Sequence, residues 1–278
     1  MRVFKSCILI IIAVLISQCS TEKNTMISRG FHNLHAKYNG YFNANEIIKE
    51  TYNLFLNSRK EDYNSILPIF PTPNNIESKS WYAPMDTAYR KCELVIFKHR
   101  MPHAKKGRTR DKEWCKYIDD NWMTMGETRY YKKDFPKALK IFQYVENNYK
   151  IEDNFYRSIF WQAKVLIEMK AYDEAEDILL DIIVKNEEQS KNIKKESKLK
   201  LKDKLMLALN YENRIDYLEN KEPIISNLIL SQVYPTLADL YFKSNNSKKA
   251  IENLETAIEC KHKKKFKTRL IFILAQLY

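Results

Sequence analysis

Glycine is nearly missing from this chain: 4 glycines and 8 prolines are spread over 278 residues. The glycines, Gly30, Gly40, Gly107 and Gly126, never fall close enough together to make a phosphate-cradling loop, which excludes the common nucleotide-binding folds. Few tight turns can be built from so little of both residues, so β-sandwiches, barrels and doubly wound sheets are disfavoured. Cysteine is sparse too. Cys7, Cys19, Cys92, Cys115 and Cys260 include no C-x-x-C pair, so a zinc site of sulfur ligands is not expected. Neither G-x-S-x-G nor H-E-x-x-H occurs, leaving hydrolase chemistry no foothold. What remains is 45% hydrophobic and 29% charged, with Lys, Glu, Leu, Ile and Tyr recurring at helical spacing. The expected fold class is all-α.

The first nineteen residues carry an export signal. Arg2 and Lys5 precede an apolar run from Cys7 to Ile16, which ends at Ile16-Ser17-Gln18-Cys19. A basic start and a short apolar stretch mark a signal peptide, and the run is too short to span a bilayer comfortably. The closing cysteine resembles a lipobox, although Gln18 stands where a small residue is usual. Residues 1–18 are therefore read as the signal, and 19–27 as a linker lipidated at Cys19. Acyl chains there would tether the protein firmly to a membrane. Of the other cysteines, Cys92 and Cys115 are expected to be small buried hydrophobes on helices, with a bridge between them as the alternative.

Small residues recur at a fixed interval. Gly126 is followed twelve residues later by Ala138, Ala163 by Ala175, and Ala238 by Ala250; Phe142, Leu179 and Leu254 each follow four residues on. That is the arithmetic of a helical hairpin whose two antiparallel helices cross closely at small side chains. Turn-forming residues lie between the members of each pair: Asp134-Phe135-Pro136, Ala171-Tyr172-Asp173 and Asn245-Asn246-Ser247. The pattern resembles the tetratricopeptide repeat, most clearly in Trp122, Met125, Gly126, Tyr130, Ala138 and Phe142. A right-handed α-solenoid of such hairpins is expected over 111–278, preceded by a helical region over 28–110. Between Ala163 and Ala238 lie 75 positions, twice the spacing of 37 seen on either side, from Gly126 to Ala163 and from Ala238 to Ala275. A degenerate hairpin is expected there, from Lys195 to Asn227, with Leu201, Leu205 and Leu209 on its first helix and Tyr211, Ile215 and Leu218 on its second. Lys202 and Arg214 would splay its crossing. The last segment, Phe266–Tyr278, reads as the first helix of a further repeat whose partner is missing, so its apolar face is expected to be unpaired or docked on another protein.

Upstream, Ser28 to Tyr38 is expected to be a helix ending at Gly40, and Asn43-Ala44-Asn45-Glu46 to cap a second helix over Ala44–Asn57. A loop with Pro68, Pro71 and Pro73 follows, then a helix over Asp86–His99 and a basic loop over Met101–Arg110. The run from Phe31 through His32-Asn33-Leu34-His35-Ala36-Lys37-Tyr38-Asn39-Gly40-Tyr41-Phe42 to Glu46 resembles the opening of the SprE/PorW family, the tetratricopeptide lipoproteins of Bacteroidetes gliding motility and type IX secretion. Ile66-Leu67-Pro68-Ile69-Phe70-Pro71, Lys91-Cys92-Glu93 and Trp114-Cys115-Lys116-Tyr117-Ile118-Asp119-Asp120-Asn121 extend the resemblance along the chain. It implies a non-enzymatic scaffold, anchored to the outer membrane through Cys19 and facing the periplasm, that contacts other components of the secretion and gliding machinery. Members of that family are considerably longer, and this chain corresponds to their N-terminal portion.

The remaining candidates are weighed against ordinary structural roles. His32 and His35 lie three apart and His99 and His103 four apart, but no acid or cysteine completes a ligand set, so no metal or cofactor is expected. Asp119 and Asp120 are adjacent, pointing about 100° apart on a helix, which does not make a general acid–base pair. With Tyr130 they are the candidate partner contacts. The net charge of +12, or +10 once Arg2 and Lys5 leave with the signal, is read as solvated surface, with anionic headgroups or an acidic partner as the alternative. Nucleic acid does not suit an exported protein, and no small-molecule substrate is expected. A glycan- or nutrient-capturing lipoprotein is the alternative function; the tryptophans, at helix or repeat positions, favour core packing over that role.

Overall fold

A computed structural model describes residues 25–103, 112–150, 152–198 and 223–278. Helices dominate it, and they fall into two compact units, one comprising residues up to Leu54 with Asn75–Lys133, the other Phe55–Asn74 with Asp134–Tyr278. Among the described residues no helix is long and apolar enough to cross a membrane.

In the first unit, α1 (Met26–His35) starts at Thr25, whose hydroxyl accepts from the Ser28 amide at 3.1 Å. The helix does not stop at Gly40. It widens into a π-helical stretch, Ala36–Phe42, and runs on as α2 (Asn43–Ser58), so Asn43 is helical and caps nothing. Tertiary contact overrides the expected break. A side chain on Gly40 would collide with the Asn121 side chain and come within 3.1 Å of Val95 Cβ, so this glycine permits close approach and does not end the helix. A π turn leaves carbonyls without their usual α-helical donors. Asn121, fully buried, supplies one: its Nδ2 donates to the Ala36 carbonyl at 3.1 Å and also to that of Tyr117 at 2.5 Å. Asn45 Nδ2 donates back to the Tyr41 carbonyl at 2.8 Å.

A 3₁₀ turn (Glu77–Trp81) leads into α3 (Tyr82–His99), which starts four residues earlier than expected, with Pro84 tolerated in the first turn where no amide donor is needed. Its buried face, Met85, Ala88, Cys92, Val95 and Ile96, packs on α4 (Ile118–Tyr131) and on the π stretch. A two-residue antiparallel pair, β1 (Pro102–His103) with β2 (Lys112–Glu113), flanks the expected basic loop. Cys92 and Cys115 are both free and buried, as the hydrophobe reading requires, but only Cys92 is on a helix; Cys115 sits in the bend before α4. Burial pushes both thiols up, Cys115 to about 12.

The second unit contains α5 (Phe135–Asn148), α6 (Asn154–Glu168), α7 (Tyr172–Lys198), α8 (Asn227–Lys243), α9 (Ser247–Glu259) and α10 (Lys264–Leu277). α6 packs on α7 and α8 on α9. Ala163, Ala175, Ala238 and Ala250 are all fully buried, with Leu179 and Leu254 buried beside them. The turn of one hairpin runs through Asn245, one of the expected turn residues, while Lys133 and Lys170 were not singled out. Lys170 and Asn245 adopt φ of 65° and 60°, as does Lys133 at 61°, each seven residues after the first small residue and five before the second. Two of these turns close identically: Lys170 and Ala171 donate to Ile167 and Leu166, and Asn245 and Asn246 to Phe242 and Tyr241, the pairing of a Schellman motif.

Most of the expected degenerate hairpin, Lys195–Asn227, lies outside the described residues, including Leu201, Lys202, Leu205, Leu209, Tyr211, Arg214, Ile215 and Leu218. The flanking hairpins nevertheless touch directly, because α8 packs on both α6 and α7. One side chain of α7 ties that helix to the residues just before α8. Gln189 Nε2 donates to the Pro223 carbonyl at 3.1 Å while its Oε1 accepts from the Ile225 amide at 3.0 Å.

Candidate peptide-binding surface

The first helices of the second unit, α6, α8 and α10, together with α9, hold an extended piece of the chain's own sequence. Residues Glu61–Pro71 include Pro68 and Pro71, which lack amide hydrogens and bias their neighbours toward extended backbone. A turn within it satisfies the Asp62 carbonyl from the Ser65 amide and hydroxyl, but other carbonyls of the segment must be satisfied from outside it. Arg269 on α10 does so with a fork: Nε and Nη2 donate to the Pro68 carbonyl at 3.0 and 2.8 Å, and Nη1 pairs with Glu61 at 2.6 Å. About two turns later, Gln276 donates to the carbonyls of Ser65 and Tyr63 at 2.8 and 3.2 Å and accepts from the Leu67 amide at 3.0 Å. Between these clamps Leu67 and Ile69 are buried against Ala238, Leu254, Ala257, Leu270 and Ile273. Phe70 stacks on Phe266 at 5.7 Å and lies under the Lys164 ammonium of α6 at 5.3 Å. The last helix is thus not left bare as expected: the proline-rich segment, from far upstream in sequence, covers much of its apolar face. Ile271 and Tyr278 stay exposed.

Polar contacts tie the helices that carry this surface. Lys243 on α8 pairs with Asp239 at 2.9 Å and with Glu168 of α6 at 2.7 Å. Burial alone would lower the Lys243 pKa, but the two carboxylates outweigh it and hold it above its ordinary value; burial raises Asp239. Glu176 on α7 accepts from the Tyr241 hydroxyl at 2.7 Å and pairs with Lys249 of α9 at 3.0 Å. The Tyr241 hydrogen bond holds Glu176 below the usual carboxylate range, against its partial burial. This arrangement grips backbone amides and apolar side chains. It contains the groups that recognise an extended peptide, and its carboxylates are committed to ion pairs.

Of the residues singled out by sequence, Cys19 lies outside the described residues. Asp119 and Tyr130 are buried in α4, and Asp120 is half-buried, its carbonyl accepting from the Thr124 hydroxyl at 2.8 Å. The histidines behave differently from their sequence spacing. His32 and His35 of α1 meet His99 of α3: His32 Nδ1 and His99 Nδ1 are 2.9 Å apart, and the His35 and His99 rings stack at 4.9 Å. Phe31 packs against all three rings, edge-on to His32 and tilted to His35 and His99. Since one Nδ1 must donate and the other accept, the accepting ring is neutral and the bonded pair carries at most one charge. Burial lowers His32 and drives His99 down to about 4, with the other two histidines adding to the fall. Among the described residues, no group of three or more His, Cys, Asp or Glu side chains is arranged to hold a metal ion. Sequence reasoning found neither Arg269 nor Gln276, because a single Arg or Gln carries no motif. The only available hint was the unpaired apolar helix they sit on. No family model matches this chain, and no curated protein is significantly similar to it.

Proposed function

We propose that this protein is a non-enzymatic, membrane-tethered scaffold whose hairpins stack as a right-handed, tetratricopeptide-like α-solenoid and which acts by holding extended protein segments. The observation that carries the reading is the double clamp of Arg269 and Gln276 on the backbone of residues 63–68, since side chains placed to satisfy the backbone of a non-helical segment are the means by which a surface holds a peptide. Two sequence features support the setting. The export signal ending at Cys19 favours a lipid-anchored protein outside the cytoplasm. The run from Phe31 to Glu46 resembles the gliding and type IX secretion lipoproteins, which favours partners within that outer-membrane export machinery and a periplasm-facing position.

Crosslinking in native membranes followed by affinity capture tests this function. Capture of other subunits of the secretion machine is the expected result. Recovery of glycan importers in their place, or of no protein partner, would defeat it. Fatty-acid labelling tests the tether separately: Cys19→Ala should abolish the label and release the mature protein from membranes.

A further inference from the structure

The first helix carries an apolar stripe that stands largely exposed among the described residues. Ile27, Phe31, Leu34, Tyr38 and Phe42 follow one another at intervals of three and four, so they line a single face of α1 and its π continuation. Their exposures are high for residues of this size: Ile27 73%, Leu34 57%, Tyr38 46% and Phe42 50%, with Phe31 at 37%. The opposite face, Ser28, His32, Ala36 and Gly40, is the one buried in the unit. At 1.5 Å per residue the stripe runs about 23 Å. An isolated exposed leucine means little, but a continuous row along one helix marks a contact surface.

Two observations identify what covers it. First, no Asp or Glu occurs between Met26 and Asn45; Arg29 is turned to the buried side, its guanidinium 5.0 Å over the Trp114 ring, while Lys37 lies beside the row at Tyr38. An apolar row free of acidic neighbours, with a lysine at its side, suits an anionic lipid interface. Second, only seven positions separate Met26 from Cys19, a length that spans at most about 25 Å in any conformation. An acylated Cys19 therefore holds the start of α1 within that distance of the bilayer. We propose that α1 and the π stretch lie flat on an anionic phospholipid surface, with Ile27, Phe31, Leu34, Tyr38 and Phe42 entering the headgroup–acyl boundary. The tether gives the chain its address; this face gives it an orientation on the membrane. The inference rests on the lipoprotein reading for the second argument and on the exposed stripe for the first.

The test uses the mature chain carrying Cys19→Ala, so that binding by the face is read without the acyl anchor. Cys92 and Cys115 are buried, so a Leu34→Cys, Cys260→Ser background takes an environment-sensitive dye at one position. On titration with phosphatidylethanolamine–phosphatidylglycerol vesicles the dye should shift to the blue and be quenched by brominated acyl chains. Affinity should fall on the order of tenfold when the anionic lipid is replaced by phosphatidylcholine, and again with Ile27→Asp or Phe42→Asp. Circular dichroism of each variant confirms that it remains helical. A folded chain whose dye stays in water at saturating vesicles would overturn the proposal, as would a blue shift that grows with protein concentration in the absence of lipid, which would mean that a second copy covers the stripe. Fatty-acid labelling of the unaltered chain reads the tether independently, so an unlabelled Cys19 and an inert face are distinguished.

Discussion

His99 illustrates how a residue with an ordinary sequence environment acquires an unusual one. In the unfolded chain it titrates near 6.5. In the fold, burial and the neighbouring His32 and His35 hold it down to about 4, so the folded state favours the neutral ring. The stabilisation from this group is therefore complete above about pH 6.5 and is lost as the pH falls through about 4. Thermal melts between pH 7.5 and 4 should show the midpoint falling across that window. His99→Gln, which cannot take up the proton, should flatten the slope, and an unchanged slope would show that the ring cluster is not the sensor. Gly40 carries a parallel lesson. It was expected to end a helix, and it continues one, because the space for a side chain is already occupied by Asn121.

At the level of the hairpin, Lys133, Lys170 and Asn245 are the informative residues. Each sits in the left-handed region that glycine adopts without strain, and only Asn has some intrinsic tolerance for it. Lys170→Gly should relieve that strain and stabilise the second unit by about 0.5–1 kcal/mol, read as a higher denaturation midpoint at unchanged m-value. Asn245→Gly should give less. A loss of stability with Lys170→Gly would mean that its stem packing outweighs its backbone strain. The pairs Ala163–Ala175 and Ala238–Ala250 were legible from spacing alone, because a close crossing admits only small side chains and so leaves a periodic mark in the sequence. The turn at Asn245 was legible too, whereas Lys170 was not, since a chain poor in glycine places lysine where a reader looks for glycine.

On the scale of the whole molecule, the second unit is assembled from two pieces remote in sequence, Phe55–Asn74 and Asp134–Tyr278. Arg269 joins them with a salt bridge and a forked hydrogen bond, both partly buried. Arg269→Ala would leave the Pro68 carbonyl without its donors, at a cost of about 1–3 kcal/mol. The expected consequence is local: limited proteolysis should cut within residues 60–74 first, while the hairpins of α6 to α9 keep their circular dichroism. Resistance equal to that of the unaltered chain would show that the apolar contacts of Leu67 and Ile69 suffice to hold the segment. If extended partner peptides use the same surface, they should protect the variant better than the parent.

The sequence alone settled the all-helical class, the alanine crossings of two hairpins and the burial of Cys92 and Cys115. All three follow from local periodicity and from composition, which act on neighbours in the chain. It misjudged the break at Gly40 and the bare face of the final helix. Those were decided by Asn121 against a distant glycine and by a proline-rich strap laid across α10. Contacts between residues tens to hundreds of positions apart leave no periodic trace, because any side chain of suitable shape and polarity can make them; only the assembled fold selects which one does.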